Sequence, residues 1–358
     1  MLSSSKHIWI RAETKHGEQR VPIIPTEVRK LIEKGYHITV ERSPNRCIHD
    51  ENYRSAGATM VEAGSWVNAP KDTLIIGLKE LPHDTVPLYH RHLYFGHCFK
   101  GQPHAMQLLD RFKQGGGTLY DLEYLTNEKK KRMVSFGRIA GMIGMALALL
   151  VWVWQQKHPY IPYPPIDTYG STTTMRRTVQ QLLRPFKDTG LPTILIIGAN
   201  GACGSGAVLF AKQLNIGLSI TQWTKEETMN GGPFHELLQK HIVVNCIQLN
   251  ASIPSFLNGD TIASPSRVLS VLSDISCDSL HPFHPFPFYT KPTTLDHPTE
   301  RIIHDTIPLD VIAIDHLPTI VPIEASAECS WKLAPFLVDH ESCVWKNMET
   351  AFLNACSA

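Results

Sequence analysis

The chain has 358 residues, with 34 Lys and Arg against 33 Asp and Glu, a formal net charge of +1 and 43% apolar residues. This length is enough for about two globular domains of roughly 150 residues each. The near-neutral charge argues against nucleic acid or an anionic membrane as the main partner, because both require clustered excess Lys and Arg. A small-molecule enzyme is therefore the expected class.

Cysteine content and apolar runs indicate the compartment. Eight cysteines without a CxxC pair argue against a disulfide scaffold and predict a reducing, cytoplasmic location. The apolar run after Lys6 is too short for a signal peptide. The most apolar stretch, 139–154, falls short of the roughly 20 residues of a membrane-spanning helix, so we expect a buried helix and no membrane partner.

The first part of the chain, 8–123, alternates short apolar strands with amphipathic helices. This alternation predicts a mostly parallel sheet with helices on both faces. The predicted strands are 8–10, 37–42, 73–78, 93–98 and 118–125, and the predicted helices are 25–34, 51–56 and 105–114.

A second unit follows the proline-rich segment 157–169, which cannot continue a helix. A buried strand at 193–198, a helix at 206–214 and a strand at 218–223 have the order and length of a βαβ unit. Two further strands are predicted at 241–247 and 267–276, and a loop rich in Pro and His follows them.

Glycines lie where the first strand of this βαβ unit meets its helix, at 198, 201, 204 and 206. Gly198 and Gly201 permit a tight turn and the close approach of a pyrophosphate, while the helix N-terminus offers unpaired amides. This context predicts a dinucleotide site, with a purely structural turn as the alternative.

The end of the second strand usually carries an acidic residue that binds the ribose hydroxyls. Thr224 and Lys225 stand there instead, so both NAD and NADP remain open as cofactors. Glu226 and Glu227 could substitute for the missing acid, although the solvated first turn of the next helix is the expected place for them.

Polar side chains in the first unit follow the ends of predicted strands. Lys79 and His97 each come just after an apolar run, and the carboxyl ends of parallel strands are where open α/β sheets bind ligands. Surface ion pairs are the alternative for each of them. The complete set is Arg11, Lys15, Glu18, Arg20, Lys79, Glu80, His97, Lys100 and Gln102.

A series of short strings spans nearly the whole chain, in the order RAETK, EQRVPIIPTEV, GSW, IIGLKELP, HCFKGQ, GTLYDLEYL, GACGSGA, GGPF, NCIQLN and IDHLPTIVPIEAS. Together they resemble the fungal saccharopine dehydrogenases that form L-lysine. More distantly they resemble the alanine dehydrogenase and transhydrogenase group. The resemblance implies an α/β fold of two Rossmann-like domains with mostly parallel sheets flanking a central cleft. It places the substrate-side domain at 1–137 plus 325–358 and the dinucleotide-binding domain at 138–324.

The resemblance also implies a function and residue roles. It implies an NAD(P)-dependent oxidoreductase acting on the C–N bond of an amino-acid-derived secondary amine or imine, converting saccharopine, NAD and water to L-lysine and 2-oxoglutarate or the reverse. Lys79 and His97 match its acid–base pair, and Glu80 and Glu123 match carboxylates that tune that pair. The matched substrate positions are Arg20, Lys100, Gln102, Arg132, Phe136 and Asp315. The matched cofactor positions are Gly198, Gly201, Cys203, Gly204, Ser205, Gly206, Thr224 and Lys225, and no metal is expected. Cys203 and Cys246 match two cysteines that can form a disulfide in the family.

The residue types agree with this chemistry independently of the resemblance. Lys and His can share the proton transfers of imine formation and hydrolysis. Guanidinium groups bind substrate carboxylates bidentately. The expected partners are therefore an amino acid and a 2-oxo acid or their conjugate, with no nucleic acid, and a monomer is compatible with the sequence.

Several positions depart from the family pattern. Thr224 replaces an Asp, while Ala202 and Ile323 each replace an Arg. These changes leave two alternatives open: an imine reductase of specialised metabolism that uses NADPH, and a non-catalytic regulatory paralogue.

Overall fold

The apolar runs of the sequence lie in two separate sheets of six strands each. The computed structural model describes residues 6–99, 104–249, 251–277, 279 and 282–357. Unit 1 comprises Met1–Ser135 and Pro322–Ala358, and unit 2 comprises Phe136–Val321. The chain therefore leaves unit 1 once and returns to it for its last two helices.

The sheet of unit 1 is parallel throughout, in the order β3-β2-β1-β4-β5-β6. Its central strands are almost fully buried, as expected for Ile- and Leu-rich strands covered on both faces. The strands are β1 His7–Ile10, β2 His37–Glu41, β3 Thr59–Val61, β4 Leu74–Ile76, β5 Arg91–Tyr94 and β6 Thr118–Asp121. The helices between them are α1 Pro25–Glu33, α2 Asp50–Ser55 and α3 Ala105–Gly115.

The C-terminal helices α10 Pro322–Val338 and α11 Cys343–Ser357 complete unit 1. Ser330 Oγ on α10 accepts a hydrogen bond of 3.0 Å from the amide of Ile24, the residue before α1. Because the first amides of a helix lack intrahelical acceptors, α10 satisfies a group that the local chain leaves open. On α11, the Trp345 ring packs edge-on against Tyr120 of β6 with centroids 5.2 Å apart.

Unit 2 has the strand order β11-β12-β10-β9-β7-β8, and only its edge strand β11 runs antiparallel to its neighbour. The prediction of an α/β fold with mostly parallel sheets is therefore confirmed. The strands are β7 Thr193–Ile197, β8 Ser219–Trp223, β9 Ile242–Asn245, β10 Val271–Asp274, β11 Glu300–Ile303 and β12 Leu309–Ile312. The helices are α4 Gly137–Lys157, α5 Thr172–Leu183, α6 Ala202–Gln213, α7 Lys225–Thr228, α8 His235–Leu238 and α9 Gly259–Ile262.

Some element boundaries differ from the prediction. The strand predicted at 93–98 lies at Arg91–Tyr94 instead, and the left-handed conformation of His97, with φ +47°, does not continue a strand. The sequence pattern also missed the strands β3, β11 and β12 and the helices α5, α8, α9, α10 and α11.

Helix α4 is long and apolar enough, by composition, to cross a membrane, and 72% of its most apolar window is buried inside the structure. It packs against α6 and the strands of unit 2 as the expected buried helix. Gly141 permits this packing, because a Cβ at that position would lie 1.9 Å from the carbonyl oxygen of Cys203 in α6.

Substitution of Gly141 by Ala should force α4 and α6 apart and lower the free energy of unfolding by about 1–3 kcal/mol. Urea unfolding followed by circular dichroism measures this change. Gly259→Ala is the matched control, because nothing lies within 4 Å of a Cβ at that helix-start position. Equal stability of the two variants would contradict the packing argument.

Candidate active site

The carboxyl ends of four neighbouring strands gather polar residues at one edge of the unit 1 sheet. Arg11 follows β1, Lys79 follows β4 and His97 follows β5, while Asp121 is the last residue of β6. Because β1, β4, β5 and β6 are parallel neighbours, these residues share the same edge.

Two buried residues hold the backbone around Lys79. The Glu13 carboxylate accepts hydrogen bonds from the amides of Leu78, at 2.6 Å, and Lys79, at 2.9 Å. The Arg11 guanidinium donates to the Lys79 carbonyl from the other side. Gly77 makes room for this contact, since a Cβ there would lie 2.4 Å from the Arg11 side chain. The backbone of Lys79 is thereby held at both its N–H and its C=O.

Charged groups of both signs surround Lys79. Burial alone would raise the pKa of Glu80, but Lys79, Lys15 and His97 act together to lower it. Burial dominates at Glu13 and raises its pKa, with Arg11 opposing. The site thus combines one carboxylate held in its charged form with another whose charge is disfavoured.

The His97 ring lies beside a carboxylate that an arginine also approaches. Its Nδ1 lies 3.3 Å from Glu123 Oε1, and Arg132 Nη2 lies 3.7 Å from the same oxygen. His97 has a left-handed backbone conformation, which costs free energy in a residue other than glycine. Residues strained in this way are common at functional sites. With 38% of its side chain exposed, the imidazole is reachable by a solute.

Asp121 is a buried carboxylate next to this pair. It accepts hydrogen bonds from the amides of Glu123, at 2.9 Å, and of Gly96. Burial nevertheless raises its pKa from 3.8 to about 6, and the nearby Glu123 charge acts in the same direction.

A cavity of about 580 Å³ in unit 1 is lined by Lys15, Glu80 and His97, among others. This volume is in the range of small-molecule sites. It brings together three of the polar residues that the sequence pattern placed at this edge.

The other predicted substrate residues are distributed differently. Arg20 is buried and pairs with Glu18 through Nε at 2.7 Å and Nη2 at 2.5 Å. Phe136 and Asp315 belong to unit 2, where Phe136 precedes α4 and Asp315 pairs with His316. Lys100 and Gln102 lie outside the described residues.

In unit 2 the glycine turn, residues 198–206, has the shape expected for a phosphate-binding turn. Gly198 has φ +78°, and a Cβ there would lie 2.3 Å from Ile247. A Cβ on Gly204 would lie 2.1 Å from the carbonyl oxygen of Gly198. The turn therefore excludes larger residues and leads directly into α6, with Gly201 as a cap that uses no side chain. The first amides of α6 have no intrahelical acceptors, so these residues fit a pyrophosphate.

The remaining predicted cofactor residues lie around this turn. Cys203 and Ser205 are in the first turn of α6, whereas Thr224 and Lys225 follow β8. Both Cys203 and Cys246 are free thiols, and their mutual hydrogen bond, with burial, raises the pKa of Cys246.

Sequence reasoning missed Glu13 and Asp121. Glu13 follows an apolar strand in the same segment as Arg11, and Asp121 ends another apolar strand, so an acidic residue at a strand end was the available signal.

Sequence reasoning also missed a buried network in unit 2, where Asp274 at the end of β10 accepts hydrogen bonds from Asn245 at 2.9 Å and Tyr289 at 2.7 Å. His284, from the Pro- and His-rich loop, lies 3.4 Å from Asp274, so the network holds that loop on the sheet.

Comparisons with known proteins identify similar sequences and a similar fold. The family model described as "Alanine dehydrogenase/PNT, N-terminal domain" matches residues 9–143. The chain is 44% identical over 362 residues to the saccharopine dehydrogenase (NAD(+), L-lysine-forming) of Emericella nidulans, covering 97% of this chain and 96% of the relative. It is 43% identical over 354 residues to the protein of the same name from Neurospora crassa, with coverages of 96% and 95%.

Among solved structures, an L-alanine dehydrogenase superposes with a TM-score of 0.68 at 14% identity, covering 98% of this chain and 94% of that one. At this identity the likeness concerns the fold alone.

Substitution of Asp121 by Asn keeps an acceptor for the two amides but removes the buried charge. Because the native pKa is raised from 3.8 to about 6, the carboxyl favours the native state below the lower value, and this contribution is lost as pH rises through about 6. Asp121→Asn should therefore gain thermal stability relative to wild type between about pH 5 and about pH 7.5. Thermal unfolding at both pH values tests this, with exposed Asp110→Asn as control. A difference that shrinks with rising pH would contradict the assignment.

Proposed function

The chain belongs to the L-lysine-forming saccharopine dehydrogenase family, and from this membership we propose that it interconverts saccharopine, NAD⁺ and water with L-lysine, 2-oxoglutarate, NADH and a proton. Unit 1 supplies the acid–base residues and unit 2 binds the dinucleotide. The observation that carries the proposal is the strand-end site, in which Lys79 is held by Glu13 and Arg11 while His97 faces Glu123.

The glycine turn supports NAD as the cofactor of this reaction. Its closely packed glycines and the open amides of α6 suit a pyrophosphate. Bound NAD⁺ would supply the hydride acceptor for oxidation of the carbon next to the substrate's secondary-amine nitrogen. The named relatives use NAD⁺, which favours the non-phosphorylated form.

The residues of unit 1 suit the proton transfers. Oxidation of a secondary amine requires loss of the proton on nitrogen, and hydrolysis of the resulting imine requires a base for water and an acid for the departing amine. An imidazole is well suited to gain and lose a proton near neutral pH. Glu123 Oε1 lies 3.3 Å from His97 Nδ1 and orients the ring. Lys79 is the second proton carrier, within the electrostatic reach of Glu80 and Glu18.

Cations of unit 1 suit the carboxylates of the substrate. Arg132 is 42% exposed at its side chain, so its guanidinium can reach a ligand while it contacts Glu123. Lys15 lines the cavity beside His97. Arg20 forms an ion pair with Glu18. We propose that this pair keeps the Glu18 carboxylate charged and orients it toward Lys79.

Substitution of Lys79 by Met or of His97 by Gln should lower kcat for saccharopine oxidation by at least about 100-fold, because each removes a group that carries protons. Steady-state NADH production as a function of pH measures the effect. The exposed residues Lys113 and His49 provide the controls Lys113→Met and His49→Gln. Wild-type turnover by either site variant would refute the assignment.

Substitution of Glu13 by Ala should release the peptide that carries Lys79 and lower kcat by at least about tenfold, since catalysis is sensitive to small displacements. Affinity for NADH should not change, because the glycine turn is in the other unit. Glu33→Ala on the exposed side of α1 is the control. Parallel losses of NADH affinity and thermal stability would point to general unfolding and contradict a positioning role.

A further inference from the structure

The end of β8 is attached directly to the glycine turn. The carbonyl oxygen of Trp223 accepts hydrogen bonds from the amides of Gly198 and Ala199, both at 2.9 Å. In a βαβ unit of this kind, the pyrophosphate lies at the turn and the adenosine ribose lies beside the end of the second strand. The residue after Trp223 therefore stands next to the place where the ribose hydroxyls come.

Thr224 occupies this position and has no charged acceptor. Glu227, to which Thr224 donates hydrogen bonds, has one. The Thr224 amide donates to Glu227 Oε2 at 2.5 Å, and the Thr224 hydroxyl donates to the same oxygen at 2.9 Å. The Glu226 amide in turn donates to Thr224 Oγ1. This reciprocal arrangement folds the Glu227 side chain back from α7 onto the end of β8.

The Glu227 carboxylate is available to a ligand. Glu227 is exposed, and both hydrogen bonds from Thr224 fall on Oε2 rather than on Oε1. The hydrogen bonds from Thr224 lower the pKa of Glu227, so the group is charged at neutral pH.

We propose that Glu227 replaces the missing acidic residue at position 224, accepts the adenosine ribose hydroxyls of NAD and disfavours the 2′-phosphate of NADP. The proposal rests on the proposed function, because it concerns the cofactor of that reaction. It also resolves the role of Lys225, an exposed cation that would by itself attract a 2′-phosphate. The neighbouring carboxylate offsets that attraction.

The test measures the dissociation constants of NADH and NADPH, without substrate, from the quenching of protein fluorescence. Glu227→Gln keeps the capping arrangement, because Gln serves as well as Glu at this helix position. Glu226→Gln is the matched control, since only the backbone amide of Glu226 takes part in the arrangement. In Thr224→Asp/Glu227→Gln the acid is restored at the strand end.

We expect Glu227→Gln to weaken NADH binding by about tenfold, the effect of losing a charged hydrogen-bond acceptor, and to reduce the preference for NADH over NADPH. Glu226→Gln should bind as wild type does, and Thr224→Asp/Glu227→Gln should recover NADH affinity.

Three results would overturn the proposal. They are wild-type NADH and NADPH affinities in Glu227→Gln, equal losses in Glu227→Gln and Glu226→Gln, and a double variant that stays weak although it is folded. Wild-type protein that binds neither dinucleotide would instead overturn the proposed function itself.

Discussion

The parallel pairing of β1, β4, β5 and β6 is the constraint on which the candidate site depends. Parallel strands end at one edge, so residues far apart in sequence arrive there together, among them Arg11, Lys79, His97 and Asp121. The edge also leaves backbone amides without partners in the sheet. Glu13 accepts two of these amides, which links the stability of the strand end to the position of Lys79.

Electrostatics at this edge combine groups with opposite tendencies. Burial raises the pKa of Glu13 and Asp121, whereas surrounding cations lower that of Glu80. A site that must both give and take protons benefits from this separation, because neighbouring groups then hold protons over different ranges of pH. The left-handed backbone of His97 directs its ring toward Glu123 within the same edge.

The role that we propose for unit 2 is different: it would bind NAD, whose pyrophosphate carries negative charge. The glycine turn provides close approach and open amides, and the end of β8 is bonded to it through Trp223. A capping arrangement around Thr224 brings a carboxylate to that end even though the family's acidic residue is absent. Local helix capping, a source of stability, would in this way also place the group that we propose binds the ribose.

Sequence alone determined the fold class, the glycine turn and the family, because short apolar runs that alternate with amphipathic helices, glycine spacing and ordered motifs are local properties. It also predicted Lys79 and His97 as site residues by their places after apolar strands, and these roles stay predictions. Tertiary structure decided what those residues contact: Glu13 on the peptide of Lys79, Arg20 engaged by Glu18, and Glu227 folded back onto Thr224. Such contacts depend on which strands become neighbours and how a short helix is capped, and neither follows from the residue types of one segment.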